Sequence, residues 1–208
     1  MLMIRSLRLP VVGCCLFVAG CVGGTSNPSR HYTLNPLEPG PGAVAAPVVS
    51  VLTVGPVVIP EYLDRPQIVT RSGSNELILN EFNRWGEDLD KEVSQLIVTD
   101  LSERLGAGGI AVFAWRAVPL TTVKNVYRVA VDFSRFDGTP GKDIVLKATW
   151  RLFRKQGGGE EQVLAKEVVL VEAVSGNSYE DLVAAMAKGL RRFTALMSDA
   201  IAAECSVR

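Results

Sequence analysis

126-VYRVAVDFSRF-136, followed past Asp137-Gly138-Thr139-Pro140-Gly141 by 144-IVLKATWRLF-153, decides the fold. Both runs alternate apolar and polar residues, the period of a half-buried strand. Tyr127, Val129, Val131 and Phe133 share one face of the first. Ile144, Leu146, Ala148, Trp150 and Leu152 share one face of the second, with Lys147, Thr149 and Arg151 opposite. The turn residues between the runs predict a hairpin. Gln156 to Glu161, with its three glycines, leads to a third strand over Gln162 to Val171. The result is an antiparallel meander with one wet face.

Beyond the meander, Asn177 or Ser178 caps a long final helix with Glu180 and Asp181 in its first turn. Its apolar stripe is Leu182, Met186, Leu190, Phe193, Met197 and Ile201. Before the meander, Leu89, Val93, Leu96, Ile97, Leu101 and Leu105 recur at helical spacing, predicting a helix over Asp88 to Leu105. Glu87, Asp88 and Asp90 sit at its positive end and read as capping, and Gly106, Gly108 and Gly109 end it. Ile110 to Trp115 reads as a strand. Val48 to Ile59 is another, with Val49, Val51 and Thr53 on one face and a break or bulge at Gly55-Pro56. Gln67 to Arg71 and Glu76 to Asn80 flank Ser72-Gly73-Ser74-Asn75 as a hairpin. His31 to Leu34 is a short extended piece, and Glu38 to Pro47 a Pro/Gly loop. The fold class is α+β: an antiparallel or mixed β-sheet with two amphipathic helices packed on one face.

The N-terminus carries a different signal. Arg5 and Arg8 precede an apolar run, Leu9 to Val18, too short to span a bilayer. Val18-Ala19-Gly20-Cys21 then reads as a lipobox. Cleavage before Cys21 would place diacylglycerol on its thiol and an acyl chain, such as palmitate, on its amine. More than one acyl chain anchors a protein stably. The expected organisation is a leader over 1–20, a lipidated flexible tether over 21–30 rich in Gly, Ser, Asn and Pro, and one domain over 31–208. Val22, rather than Asp, follows the anchor. In a Gram-negative envelope this favours the inner leaflet of the outer membrane, facing the periplasm.

The chain has 22 basic and 22 acidic residues, and losing the leader removes two of the bases. No basic excess points to nucleic acid. Of four cysteines, Cys14 and Cys15 leave with the leader and Cys21 becomes a thioether, so Cys205 is a lone, inert thiol near a helix end. His31 is the single histidine, which leaves no His/Cys metal set and no Ser-His-Asp triad. No nucleotide-binding glycine motif is present. No catalytic, metal or cofactor-binding residue is expected. Trp115 and Trp150 read as core. Trp85 either staples the first helix to the core or faces a partner.

Several of these segments together resemble the PqiC-like ABC-type transport auxiliary lipoproteins. They are the lipobox; Tyr32-Thr33-Leu34; Val54-Gly55-Pro56-Val57; Ile59-Pro60-Glu61-Tyr62-Leu63-Asp64-Arg65-Pro66-Gln67-Ile68-Val69; Arg84-Trp85-Gly86-Glu87-Asp88-Leu89; and Arg135-Phe136-Asp137-Gly138. The stretch from Ile59 to Val69 is the most specific. Asp88 stands where such members often carry Pro. The resemblance implies a non-enzymatic subunit of an MCE-type lipid transport system, tethering an MCE-domain protein to the outer membrane. The cargo would be phospholipid or a similar hydrophobic molecule. It also implies a homo-oligomer, since MCE proteins form symmetric rings. Ile59 to Arg71 is a rigid segment of mixed character, either partner-facing or a structural crossover. The partner-binding candidates are Pro60, Tyr62, Leu63, Arg65 and Trp85, beside lipid attachment at Cys21. The alternative is an envelope-assembly or envelope-stabilising lipoprotein that binds an outer-membrane barrel or peptidoglycan.

Overall fold

A computed structural model describes residues 27–34, 46–115, 123, 125–156 and 158–206. The leader, Cys21 and most of the tether and of the Glu38–Pro47 loop lie outside the described residues. The strands are β1 (Arg30–Tyr32), β2 (Ser50–Val58), β3 (Gln67–Ser72), β4 (Glu76–Trp85), β5 (Ile110–Ala114), β6 (Asn125–Gly138), β7 (Asp143–Gln156) and β8 (Gly159–Ala173). The helices are α1 (Leu89–Gly106) and α2 (Tyr179–Ser206). This is an α+β fold on one mixed sheet of eight strands.

The meander forms as the alternation predicts. β6 pairs antiparallel with β7, and β7 with β8. Gln156 pairs with Gly159, a tighter turn than the connection expected over Gln156 to Glu161. On its other edge β6 pairs in parallel with β2 and, at its far end, with β3 through Gly138 and Thr70. β2 pairs in parallel with β5, β3 with β4 in a hairpin, and β1 in parallel with β4. Parallel pairing within a partly antiparallel sheet makes it mixed. β2 is buried on both faces as far as Val54. Its register then shifts between Val54 and Val57, around Gly55-Pro56, whose peptide is cis. Val49 stands exposed ahead of the strand, not on its apolar face.

α2 packs on β6, β7 and β8, α1 on β2 and β5, and the helices touch each other. The α2 stripe from Leu182 to Ile201 is wholly buried, as are the predicted apolar faces of β6 and β7. Between the helices, the Thr194 hydroxyl donates to Asp100, a buried carboxylate that Arg104 also reaches at 3.2 Å. Ser178 is the cap of α2: its hydroxyl accepts the Asp181 N–H at 3.1 Å, and the Asp181 carboxylate accepts the Ser178 N–H at 3.1 Å. This reciprocal pair is a capping box. At α1 the expectation of acidic capping holds only by position. Asp88 is the N-cap residue, but its carboxylate makes no cap bond and pairs with Lys91 at 2.5 Å. Past α1, Gly109 has φ +74°, and its carbonyl accepts the Val49 and Ser50 N–H groups that start β2. A Cβ there would stand 2.6 Å from the Pro47 oxygen.

Three local expectations change. The rigid segment from Ile59 gains a single 3-10 turn, Glu61–Leu63, ahead of β3, which takes up the expected strand from Gln67. The strand expected to end at Asn80 runs on to Trp85. Trp150 is core, but Trp115 is 42% exposed, with the Arg128 guanidinium 4.7 Å from its ring centroid. Arg128 lies on the outer sheet face, opposite the helices, so Trp115 stacks there instead of in the core.

Candidate partner-binding surface

After β2 the chain turns sharply. The Leu63 N–H donates to the Pro60 carbonyl at 2.9 Å, and the Arg65 N–H to the Leu63 carbonyl at 2.8 Å. Pro60 cannot donate and favours such a turn. Leu63, 2% exposed, drops into the core and holds the turn down. At its end, the Pro66 carbonyl accepts the Trp85 N–H at 2.8 Å, which ties the segment to β4.

The second fastening is electrostatic. A bulge between Phe133 and Arg135 shifts the alternation of β6 by one residue. Phe136 therefore stays on the core face, and Asp137 points to the outer face, under the turn. Asp137 is 0% exposed. Its carboxylate accepts from the Tyr62 hydroxyl at 2.5 Å, Arg71 Nε at 2.8 Å and Arg135 Nε at 2.9 Å. Burial alone would raise its pKa, but the hydrogen bonds from Arg71, Tyr62 and Arg135 outweigh it and hold the carboxyl below its usual range. Burial, reinforced by the bond to Asp137, pushes the Tyr62 hydroxyl up to about 12. The network is therefore an ionised carboxylate beneath two guanidiniums and a neutral phenol.

The sequence candidates divide under this geometry. Pro60, Tyr62 and Arg65 form the top of a shelf, with Arg65 exposed and the other two half-buried. Leu63 and Trp85 do not face outward. Trp85 is 5% exposed and belongs with Leu63 to the core. Its burial follows from its place at the end of β4, paired to Tyr32 of β1. Beside the shelf is an open cleft of about 320 Å³ lined by Asp64, Arg65, Pro66, Gly86, Glu87 and Asp88, with the buried Trp85 and Leu89 also contributing to its wall. Its rim is mainly acidic.

Phe82 was not anticipated. Between Val69–Leu79 and Gln67–Arg84 the β3–β4 register slips, so Asn80 to Asn83 bulge away from β3. Asn80 Oδ1 accepts the Phe82 N–H and Asn83 Nδ2, each at 2.9 Å. The bulge leaves Phe82 41% exposed. The signal in the sequence was Asn80, whose side chain competes for backbone donors.

Among the described residues no group of three or more His, Cys, Asp or Glu side chains could hold a metal ion. No described helix is long and apolar enough to cross a membrane. Cys205, half-buried near the end of α2, has its thiol pushed up to about 11 by burial.

Residues 32–198 match the family described as ABC-type transport auxiliary lipoprotein component. The chain is 24% identical over 172 residues to the Escherichia coli K12 intermembrane transport lipoprotein PqiC, covering 83% of this chain and 85% of that protein. The fold is similar to the crystal structure of an uncharacterized protein, with TM-score 0.65, 20% identity, and coverage of 84% of this chain and 99% of that one. A Xanthomonas campestris protein gives TM-score 0.58 at 19% identity, covering 86% and 96%.

Proposed function

Because the chain belongs to the family of ABC-type transport auxiliary lipoprotein components, we propose that it is the lipid-anchored, periplasm-facing subunit of an MCE-type intermembrane lipid transport system. Acylated at Cys21, it holds the outer membrane and docks the MCE-domain protein without catalysing a reaction. The shelf on Asp137 carries this reading. A core needs no surface turn of Pro60, Tyr62 and Arg65 fastened by an ion network centred on a fully buried carboxylate. Such a fastening makes a surface rigid before binding, which lowers the ordering cost of association. The acidic rim beside it suits a basic face on the partner.

Crosslinked capture from envelopes tests this, comparing the native protein with Cys21→Ala and Arg65→Ala. Arg65 is exposed, so Arg65→Ala changes stability by no more than about 0.5 kcal/mol, and reduced capture reads the interface alone. Leu63→Ala is the wrong probe, because emptying that core site costs about 2–5 kcal/mol. Recovery of an MCE-domain protein, lost or mislocalised in Cys21→Ala and weakened in Arg65→Ala, supports the assignment. Recovery of a barrel or peptidoglycan instead leaves an anchored adaptor and removes the transport role.

A further inference from the structure

β8 closes one side of the sheet. It pairs with β7 alone, and among the described residues no strand takes its outer edge. The middle of that edge is apolar on both faces. Val169 and Val171, opposite Lys147 and Val145 of β7, are exposed by about half on the outer face. On the helix face Leu196, one turn of α2 on from Arg192, is exposed to the same degree. Lys166 and Glu167 precede this run. Glu172 follows it, buried and held by Lys188 at 2.5 Å and Arg192 at 2.8 Å. Open edges are ordinarily blunted by charge, proline or a bulge. Here the charges stop at Glu167 and resume at Glu172, which leaves the edge from Val168 to Val171 to apolar residues.

We propose that β8 pairs antiparallel with β8 of a second copy of this chain, about a two-fold axis through Val169. Charge fixes the register. Opposed residues of an antiparallel pair share a face, so a two-fold pairing of like strands centres on a residue. Centred on Val169, the strands overlap from Ala165 to Ala173 and set Lys166 of each copy opposite Glu172 of the other. Both lie on the helix face, since they pair with the core residues Trp150 and Ile144 of β7. A centre at Val168 or Leu170 would put both charges opposite apolar residues. The helix gives the same axis independently. A Cβ on Gly189 would stand 4.0 Å from the Glu172 Cβ, so α2 is level with Glu172 there. α2 then runs back along β8. Seven residues advance it by about 10.5 Å, or about three strand residues, which brings Leu196 level with Val169. α2 packs over β7 and β8. With strands about 4.8 Å apart, the two α2 axes stand about 10 Å apart, close to the spacing of packed helices. About Leu196 the open face of α2 is complementary to itself: Arg192, with its side chain 52% exposed, precedes it by four residues, and the exposed Asp199 follows by three. Antiparallel helices bring Arg192 of each copy to Asp199 of the other. The same patch serves both copies, as a two-fold contact requires. The pairing stands apart from the docking role of the shelf, but it multiplies it. Asp137 lies two strands in from β8, level with Val171. The dimer therefore sets two shelves on one sheet face, about 25–30 Å apart.

The test uses the full chain in its envelope, in a Cys205→Ser background that also serves as the control for Cys21. Under mild oxidation Val169→Cys should give a crosslinked dimer, because a residue on the axis meets itself within the Cα separation of about 4.4–6.8 Å that a disulfide spans. Glu167→Cys stands about 13 Å along the strand from its own copy and should give none. Light scattering of the purified chain in detergent should find a dimer. Val169→Lys with Leu196→Lys, both at exposed positions, should turn it into a monomer with the melting curve unchanged. No crosslink at 169 in a folded chain, or equal crosslinking at 167 and 169, overturns the two-fold. A dimer indifferent to the double substitution also overturns it. Crosslinking that requires Val169→Cys on one copy and Ile78→Cys on another assigns the edge to a head-to-tail ring, and it removes the two-fold while leaving the docking role of the shelf intact.

Discussion

Replacing Asp137 by asparagine keeps the side chain's shape and removes its charge. The native carboxylate is fully buried and accepts three hydrogen bonds, two from guanidiniums. Bonds to a charged group contribute about 1.5–3 kcal/mol each, so three exceed the about 3–5 kcal/mol that breaking a buried ion pair costs. Two features reduce the loss. The Arg71 and Arg135 side chains keep 19% and 38% exposure and can rehydrate, and the amide oxygen still accepts one bond. The expected loss is about 2–4 kcal/mol. In urea, with a slope of roughly 2 kcal/mol/M, the midpoint falls by about 1–2 M. The pH dependence is a second readout. A carboxylate whose folded pKa lies below its unfolded value stabilises fully above the unfolded pKa and loses that contribution as pH falls through the folded one. Asp137 starts from an ordinary value of 3.8 and is shifted down. The gap between native and Asp137→Asn protein is therefore complete at neutral pH and narrows only below about pH 4. A loss under about 0.5 kcal/mol at neutral pH, or a gap that stays constant into the acid range, would refute the reasoning.

Gly138→Ala should cost about 1–3 kcal/mol by overpacking, read as a fall in urea midpoint, because a Cβ there would stand 2.5 Å from the Asp143 oxygen and 2.6 Å from Ile144 Cγ2. Arg128 lies 4.7 Å from the Trp115 centroid and 4.2 Å from that of Phe153, and it bonds Glu160 with both carboxylate oxygens. Arg128→Ala should cost about 1–2 kcal/mol and release the Glu160 carboxyl, now held low chiefly by its Arg128 hydrogen bond, upward in an NMR titration. The Cys205 thiol, moved from 9.0 to about 11, should react with iodoacetamide at mildly alkaline pH on the order of 100-fold more slowly than in the urea-unfolded chain. Equal rates would place that thiol in water.

What was legible in the sequence was whatever kept a constant period. β6, β7 and α2 hold theirs over long runs, and their buried faces are the ones expected. Periodicity fails where one residue is inserted. The bulge between Phe133 and Arg135 reverses the faces of β6, so Asp137 read as a hairpin residue instead of the buried centre of an ion network. The slip at Asn80 to Asn83 turns Phe82 outside, while Trp85, read as either a staple to the core or partner-facing, is core. Arg71 and Asp137 are 66 positions apart, and no local pattern joins them. Nor does local pattern give the sheet order β1-β4-β3-β6-β2-β5, which depends on parallel crossovers. The Ile59–Val69 stretch was recognisable as special, but which of its side chains turn inward depends on the 3-10 turn.

The clasp of β1 has a mechanical consequence. A pull on the chain ahead of Arg30 acts along the axis of β1. The strand is held by its ladder to β4, by the Gly86 N–H on the Tyr32 carbonyl at 2.8 Å, by the Tyr32 hydroxyl on Asn83 at 2.8 Å, and by the Leu34 N–H on the Glu92 carboxylate. Tension along a strand loads these bonds together, in shear. The same force applied across the strand would open them one at a time, as a zipper. A force that drew the domain away from an attachment ahead of Arg30 would load the set at once, so the grip would fail abruptly at a high force and not by gradual fraying.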